Sequence, residues 1–274
     1  MAKRSLVLSG GGSRGAWQLG ALKALIEKGT KWDTIHGISV GALNGSFLAM
    51  TPKENLQERF PDLENIWLSI LSSENIYKPW FPVKIINYLM SMFTGSLNSG
   101  DPLRKIVESN FNKEKLQNSP VEFTAGCCSL TTGQYVSISS KSPKILEYIL
   151  ASSHLPLVFE PLTIDNEQWV DGGIRHQIPI LEALRENPDE IDVVLTSPVA
   201  EERVEDLEKV LKSCPRDALR ASEILADQVY INDYFTVSRV IKQNKIKIRV
   251  FVPKYSLEIN SMNFEGNRIK EMIK

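Results

Sequence analysis

Apolar residues along the first fifty positions alternate between short runs and stretches with helical spacing. Residues 4–9 form a short run that predicts a buried strand, and residues 14–28 repeat apolar side chains every three or four positions, as an α-helix does. Residues 34–38 predict a second strand, and residues 42–50 continue as a helix. This order of strand, helix, strand and helix favours a crossover connection and a parallel sheet.

The rest of the chain keeps the same mixture. Residues 53–118 carry mainly helical patterns. Further strands are predicted at 121–130, 135–138, 163–164, 168–170, 191–196 and 247–252, and further helices at 143–152, 180–186 and 215–243. No internal repeat and no low-complexity linker divides the chain, so one α/β domain over residues 1–274 is the prediction.

Composition narrows the class of protein. The 274 residues are 42% apolar and 24% charged, and a formal net charge of −1 gives no electrostatic support to a nucleic-acid partner. The three cysteines do not form a disulfide framework, and no cysteine–histidine cluster has zinc-ligand spacing. The first apolar run ends at Ser9-Gly10, too early for a signal peptide, and no stretch is long enough to span a membrane. We therefore expect a cytoplasmic protein without a metal or cofactor.

Residues 37–41, Gly-Ile-Ser-Val-Gly, have the form of a nucleophile elbow between the second strand and the second helix. In such a turn Gly37 and Gly41 permit the close approach of strand to helix, and Ser39 presents its hydroxyl as a nucleophile. The helix behind Ser39 also directs its positive N-terminal end at the site. The alternative is an ordinary strand-to-helix turn with Ser39 as the helix N-cap.

A glycine-rich loop, Gly10-Gly11-Gly12-Ser13-Arg14-Gly15, follows the first strand. Its backbone amides could hold an oxyanion, and Arg14 is an anion partner in its own right. The loop also fits the G-x-G-x-x-G dinucleotide fingerprint, which needs an acidic residue at the end of the second strand. The only nearby acid, Asp33, precedes that strand, so the sequence favours an oxyanion loop over a nucleotide site.

The base for Ser39 is predicted to be a carboxylate. Only His176 follows Asp171, and it lies five residues on, which is too close for the Ser–acid–His order of an α/β-hydrolase. Asp171 precedes Gly172 and Gly173, which let the backbone fold close beside the serine. Partial burial would raise the pKa of its carboxyl and make it a better base. Alone, the Asp-Gly-Gly tripeptide would be only a turn after a strand.

Together these motifs resemble the patatin-like phospholipase family. The resemblance includes Ala151-Ser152-Ser153-His154-Leu155-Pro156 with Phe159-Glu160-Pro161, and it covers roughly residues 4–198 in family order. It implies a three-layer α/β/α sandwich with a mainly parallel central sheet and a Ser-Asp dyad. It further implies calcium-independent cleavage of fatty acyl esters of glycerolipids, of phospholipase A or lysophospholipase type.

The resemblance also assigns roles. Ser39 is the expected nucleophile and Asp171 the general base, through an acyl-enzyme. The amides of Gly11 and Gly12, with Arg14, are expected to hold the oxyanion inside the loop from Gly10 to Gly15. His154 stands where a small residue is expected, so it either narrows the pocket or serves as a structural hydrogen-bonding group.

Substrate access leaves several alternatives open. Residues 76–97 are rich in aromatic side chains and carry Lys78 and Lys84, which favours a lid or membrane-docking segment as much as a helix packed on the core. The expected partner is a membrane or micellar glycerolipid, with peripheral membrane contact. An esterase or acyltransferase on other esters, or a non-catalytic lipid-binding protein, stays open, and the sequence sets no oligomeric state.

Overall fold

Strands and helices alternate along the chain in the computed structural model, which describes residues 2–80, 95–198, 214–243, 246–257 and 260–274. The strands are β1 (Arg4–Leu8), β2 (Thr34–Ile38), β3 (Lys78–Pro79), β4 (Ser96–Ser99), β5 (Glu122–Ser129), β6 (Tyr135–Ser139), β7 (Leu157–Phe159), β8 (Leu162–Ile164), β9 (Glu167–Asp171), β10 (Glu190–Val194) and β11 (Lys247–Phe251). The α-helices are α1 (Gly15–Glu27), α2 (Val40–Ala49), α3 (Leu56–Leu68), α4 (Asp101–Asn110), α5 (Lys113–Gln117), α6 (Ile145–Ser152), α7 (Ile180–Arg185), α8 (Cys214–Gln243) and α9 (Gly266–Ile273).

Within the described residues, eight strands form the central sheet, in the order β11-β10-β1-β2-β5-β9-β8, with β6 also paired to β5. The pairs from β11 through β10, β1 and β2 to β5 are all parallel. The strands β6, β8 and β9 add antiparallel pairs at the other end. The sheet is therefore mainly parallel, as the motif order predicted.

Side chains along β1 alternate between two cores, because successive residues of a strand point to opposite faces. Leu6 and Leu8 pack in the larger core with apolar residues of α1, α2 and α3. Val7 packs in a second core with Ile191 of β10 and with apolar residues of α7 and α8, including Val237. Helices thus cover both faces of the sheet, which confirms the three-layer α/β/α fold.

The strands β2 and β9 lie end to end along one edge of β5. Ile38 pairs with Gly126, and Asp171 pairs with the next residue, Cys127. β6 pairs with both of these β5 residues and so occupies the opposite edge. Because β2 runs parallel to β5 and β9 antiparallel, their carboxyl ends meet, and this brings Asp171 beside Ser39.

The helices and strands agree with the predicted segments except in two places. A small sheet, β3-β4-β7, lies partly within residues 53–118, which were predicted to be mainly helical. Helix α9 was not predicted. Of the proposed lid at 76–97, residues 81–94 lie outside the described residues. The single-domain organisation stays a prediction, and no described helix is long and apolar enough to cross a membrane.

Candidate active site

Ser39 occupies a strained turn between β2 and α2. Its φ of 56° and ψ of −128° are rare for a residue with a side chain, and such strain gathers at functional sites. A Cβ on Gly37 would lie 2.3 Å from the carbonyl oxygen of Gly41, and one on Gly41 would lie 2.4 Å from that of Leu8. Glycine is therefore required on both sides of the serine, as a nucleophile elbow demands.

The Ser39 hydroxyl does not cap helix α2, although Ser39 stands at the N-cap position. Its backbone is held instead by the small residues at the end of α6. The Ser39 amide donates to Ser152 Oγ at 2.9 Å, and Ser152 Oγ donates to the Gly126 carbonyl at 2.6 Å. Ser153 Oγ donates to the Ser39 carbonyl at 3.3 Å. The backbone is fixed from both sides, and the hydroxyl faces a cavity.

Asp171 is almost fully buried, with 3% of its surface exposed. Burial raises the pKa of its carboxyl from 3.8 to about 7, against the opposing effect of hydrogen bonds from the Ser39 side chain and the Gly173 amide. The Gly173 amide lies 2.7 Å from Asp171 Oδ1. Burial and the nearby charge of Asp171 raise the pKa of the thiols of Cys127 and Cys128 on β5. A carboxyl with a pKa near 7 that contacts the serine hydroxyl can accept its proton at neutral pH.

Some backbone amides of the glycine-rich loop donate hydrogen bonds within the described residues, and others do not. The Gly10 amide donates to the Gln177 carbonyl at 3.1 Å, and the Ser13 amide donates to the Ser261 carbonyl at 2.8 Å. The amides of Gly11 and Gly12 donate to no acceptor within the described part of the chain, and both residues line the cavity that holds Ser39. These two amides are therefore the donors available to an oxyanion.

Close contacts fix the shape of this loop. Gly12 has a φ of +57°, and a Cβ there would lie 2.0 Å from the Ser261 carbonyl oxygen. A Cβ on Gly11 would lie 2.1 Å from Thr196 Oγ1. Only glycine fits at both positions, so the loop packs closely against Thr196, which follows β10, and against Ser261.

The two remaining predicted loop residues lie at the start of α1. Arg14 lines the cavity, and its Nη1 donates to Ser197 Oγ at 2.7 Å. A Cβ on Gly15 would lie 2.3 Å from a methyl group of Val40, so Gly15 lets α1 approach α2 closely. The loop, the elbow and Asp171 therefore meet around one cavity.

Apolar side chains form much of the cavity wall. They include Leu43, Leu63, Trp67, Leu103, Phe111 and Phe159. Polar residues of α8, among them Ser222, Asp227 and Tyr230, line another part of the wall. A cavity with an apolar part and a polar part, and with a serine between glycine amides and a carboxyl, suits an amphipathic ester.

His154 is not among the residues that line the cavity. Its neighbours Ser153 and Leu155 line the cavity, whereas its ring lies 5.1 Å from the ring of Phe159. His154 Nδ1 is 2.8 Å from the Glu160 carbonyl, and burial lowers the pKa of the imidazole to about 4. Its own carbonyl accepts the Asp171 amide at 3.0 Å, so its role is structural.

Sequence reasoning missed several residues that shape the site. Ser152 lies in the small-residue block from Ala151 to Pro156, and Gln177 lies shortly after the Asp-Gly-Gly turn. The position of each residue beside a recognised motif could therefore have identified it. Ser261 acts through its backbone carbonyl, and every residue type has such a carbonyl, so the sequence gives no signal for it.

In the part of the chain that is described, no group of three or more His, Cys, Asp or Glu side chains could hold a metal ion.

A family model and several known proteins are similar to this chain. The model of the family described as "Patatin-like phospholipase" matches residues 6–184. The "Probable lipid hydrolase 463L" of Invertebrate iridescent virus 6 is 26% identical over 196 residues, which are 65% of this chain and 62% of that protein. "Patatin-like phospholipase domain-containing protein 6" of Homo sapiens is 26% identical over 181 residues, 64% of this chain and 12% of that protein.

Among solved structures, VipD from Legionella pneumophila is similar with a TM-score of 0.43 and 18% identity, over 76% of this chain and 52% of VipD. The chain therefore spans less than two thirds of the length of each of these proteins.

Proposed function

Because the chain belongs to the patatin-like phospholipase family, we propose that it is a serine lipid acyl hydrolase of phospholipase A or lysophospholipase type. The observation that carries this proposal is the contact of the Ser39 hydroxyl with a buried carboxyl, that of Asp171, whose pKa is raised to about 7. The strained backbone of Ser39 supports it, and so do the amides of Gly11 and Gly12, which have no acceptor among the described residues.

The residues allow a complete reaction sequence. Asp171 takes the hydroxyl proton while Ser39 Oγ attacks the ester carbonyl carbon. The amides of Gly11 and Gly12, with the Arg14 guanidinium, stabilise the negative oxygen of the tetrahedral intermediate. Collapse of the intermediate breaks the carbon–oxygen bond of the ester, and the proton held by Asp171 passes to the leaving alcohol. Water then attacks the acyl carbon while Asp171 takes its proton. The bond from the acyl carbon to Ser39 Oγ breaks, the proton passes from Asp171 to Ser39 Oγ, and the fatty acid is released.

The two parts of the cavity suggest how a glycerolipid lies in it. The acyl chain occupies the apolar wall, and the alcohol portion lies toward the polar residues of α8. Ile224 and Leu225 of α8 are exposed and neighbour the cavity-lining residues Ser222 and Ala226. These exposed side chains support peripheral contact of a cytoplasmic enzyme with a membrane or micelle surface.

Two alternatives use parts of the same site. An esterase or acyltransferase on other esters needs the same dyad and differs only in the acyl donor or acceptor. A non-catalytic lipid-binding protein needs the apolar cavity alone. A buried carboxyl beside a strained serine destabilises the fold without improving lipid binding, so the geometry favours catalysis.

The test is fatty-acid release from vesicles of mixed phospholipid and lysophospholipid in the presence of a chelator. We expect release by the wild type, and a loss of at least about 1,000-fold in Ser39→Ala and Asp171→Asn. Ser46→Ala, a buried serine on the same helix α2 whose hydroxyl donates to the Leu43 carbonyl, is the matched control and should keep activity.

Labelling by a fluorophosphonate separates the alternatives. No lipid hydrolysis together with labelling of Ser39 would favour another acyl substrate. A wild type that neither hydrolyses lipid nor reacts with the probe would favour the binding protein.

A further inference from the structure

Gln177 connects the two halves of the candidate active site. Its backbone carbonyl accepts the Gly10 amide at 3.1 Å, which ties it to the glycine-rich loop. Its side-chain Nε2 donates to the Gly173 carbonyl at 3.0 Å, and the Gly173 amide donates to Asp171 Oδ1 at 2.7 Å. One residue is thus bonded both to the loop that would hold the oxyanion and to the turn that holds the base.

Gln177 is itself held by a buried carboxylate on helix α8. The side chain of Asp233 accepts the backbone amides of Gln177 and Ile178, the latter at 3.0 Å, and lies 3.3 Å from His176 Nδ1. Asp233 is only 8% exposed, and it lies outside residues 6–184, which match the family model. A buried carboxylate with several donors is costly to disturb, so it fixes the backbone of residues 176–178.

The fit around Gln177 leaves little room for movement. A Cβ on Gly10 would lie 2.5 Å from Gln177 Oε1, and one on Gly173 would lie 2.8 Å from Gln177 Nε2. The amide group is therefore packed against both glycines. A shift of Gln177 would displace Gly10, and with it the neighbouring amides of Gly11 and Gly12. Misplacement of catalytic groups by about 1 Å can cost on the order of 100-fold in rate.

We propose that Gln177 and Asp233 are positioning residues that hold the glycine-rich loop and the Asp171 turn in their reactive arrangement, so that helix α8 sets the reactivity of Ser39. The inference rests on the proposed function, because it assigns these residues to the same hydrolytic site. It goes beyond that function by placing part of the active-site support on α8.

The pH dependence of the reaction distinguishes positioning from general stability. The Gly173 amide stabilises the Asp171 carboxylate and so lowers its pKa, against the raising effect of burial. If Gln177 no longer holds the Gly173 peptide, this hydrogen bond weakens and the pKa of Asp171 rises. Among the described residues, the other groups near Asp171 include Ser39 and the thiols of Cys127 and Cys128, and those near Asp233 include Tyr135, His176 and Glu182. None of them is altered in the variants proposed below.

The variant Gln177→Met keeps the size of the side chain and removes its hydrogen bonds. We expect the maximal rate of Ser39 phosphonylation by a fluorophosphonate to fall about 100-fold, with little change in the half-saturating concentration. The pH midpoint of the acid limb of the pH–rate profile should rise by roughly half to one pH unit. Asp233→Asn should change the rate and the midpoint of the acid limb in the same direction, but less, because its remaining oxygen can take the place of Asp233 Oδ2, which accepts both amides. Should Gln177→Met fail to fold, Gln177→Asn keeps the amide one methylene too short and carries the same expectation.

The experiment measures phosphonylation of Ser39 from pH 5 to 9 in the full chain, together with the melting temperature of each variant. The matched control is Asp192→Asn, a buried carboxylate on β10 that pairs with Arg249 and Trp32 away from the site. It should lower the melting temperature and leave the pH midpoint at the wild-type value. A wild-type rate and midpoint in the Gln177 variants, or an equal midpoint shift in Asp192→Asn, would overturn the proposal. A wild type that does not react at all would instead refute the proposed function.

Discussion

Asp171 combines two requirements that oppose each other. To act as a base near neutrality its carboxyl must be ionisable at about pH 7, and burial provides this by disfavouring the charged form. The same burial destabilises the folded protein whenever the carboxyl is charged. The φ of 56° at Ser39 adds a second local cost at the same place. Both features therefore lower the stability of the folded protein while they provide the carboxyl pKa and the serine geometry that the proposed reaction needs.

Replacement of this carboxyl should stabilise the protein at high pH. The folded pKa of about 7 lies above the ordinary 3.8, so the unfolded chain loses its proton first and stability falls as pH rises from about 4 to 7. Asp171→Asn cannot ionise and keeps an oxygen for the Gly173 amide. We expect its gain in unfolding free energy to be larger at pH 8 than at pH 5, by on the order of 2 kcal/mol. Thermal or urea unfolding at both pH values measures this, and an equal gain at both would contradict the assigned pKa.

At the scale of elements, the segment 260–264 forms a wall of the cavity. The Ser261 carbonyl accepts the Ser13 amide, and the Met262 carbonyl accepts the Tyr77 hydroxyl at 2.8 Å. The side chains of Met262 and Phe264 belong to the apolar lining. Helix α9 follows this segment directly and packs on α1, where a Cβ on Gly20 would lie 2.7 Å from the Ile273 carbonyl oxygen. The segment and its helix lie outside the region that matches the family model.

Met262 should therefore help to set the preferred acyl-chain length. Met262→Ala opens space in the apolar wall, and each further methylene that becomes buried should raise kcat/KM by about fourfold, from roughly 0.8 kcal/mol per buried CH2. Met262→Trp should penalise long chains instead. A series of p-nitrophenyl esters from short to long acyl chains measures the preference. Met272→Ala is the control, because Met272 is buried in α9 without lining the cavity, and its chain-length profile should match that of the wild type.

At the scale of the whole molecule, the sequence predicted those structural features that depend on local patterns of residues. Strand and helix periodicities placed β1, α1, β2 and α2, and the Gly-x-Ser-x-Gly pattern located the strained turn at Ser39. The meeting of β2 with β9 along β5 was not predictable, because the pairing of distant strands is set by packing across the fold. The small sheet β3-β4-β7 was missed for the same reason. Carbonyl acceptors at His154 and Ser261 were missed because backbone groups are common to all residues.

Two buried histidines make the stability of the folded protein depend on pH in the acid range. Burial lowers the pKa of His36 and of His154 to about 4, below the ordinary 6.5. The stability that depends on their neutral form is complete above pH 6.5 and is lost as pH falls toward 4, because the unfolded chain binds protons first. Each histidine contributes up to about 1.4 kcal/mol per pH unit within this range.

The double variant His36→Asn and His154→Asn retains hydrogen-bonding groups but cannot titrate. We expect it to be less stable than the wild type at pH 7.5 and to lose less stability between pH 6.5 and 4.5, as measured by urea unfolding. His176→Asn should act at higher pH, because the hydrogen bond to Asp233 raises the pKa of His176 and the wild type gains stability as pH falls through that raised pKa toward 6.5. Between pH 6.5 and 4.5 the loss of stability should therefore be shallower in the double variant and close to that of the wild type in His176→Asn. An identical slope in all three proteins would show that other groups control the acid sensitivity of the fold.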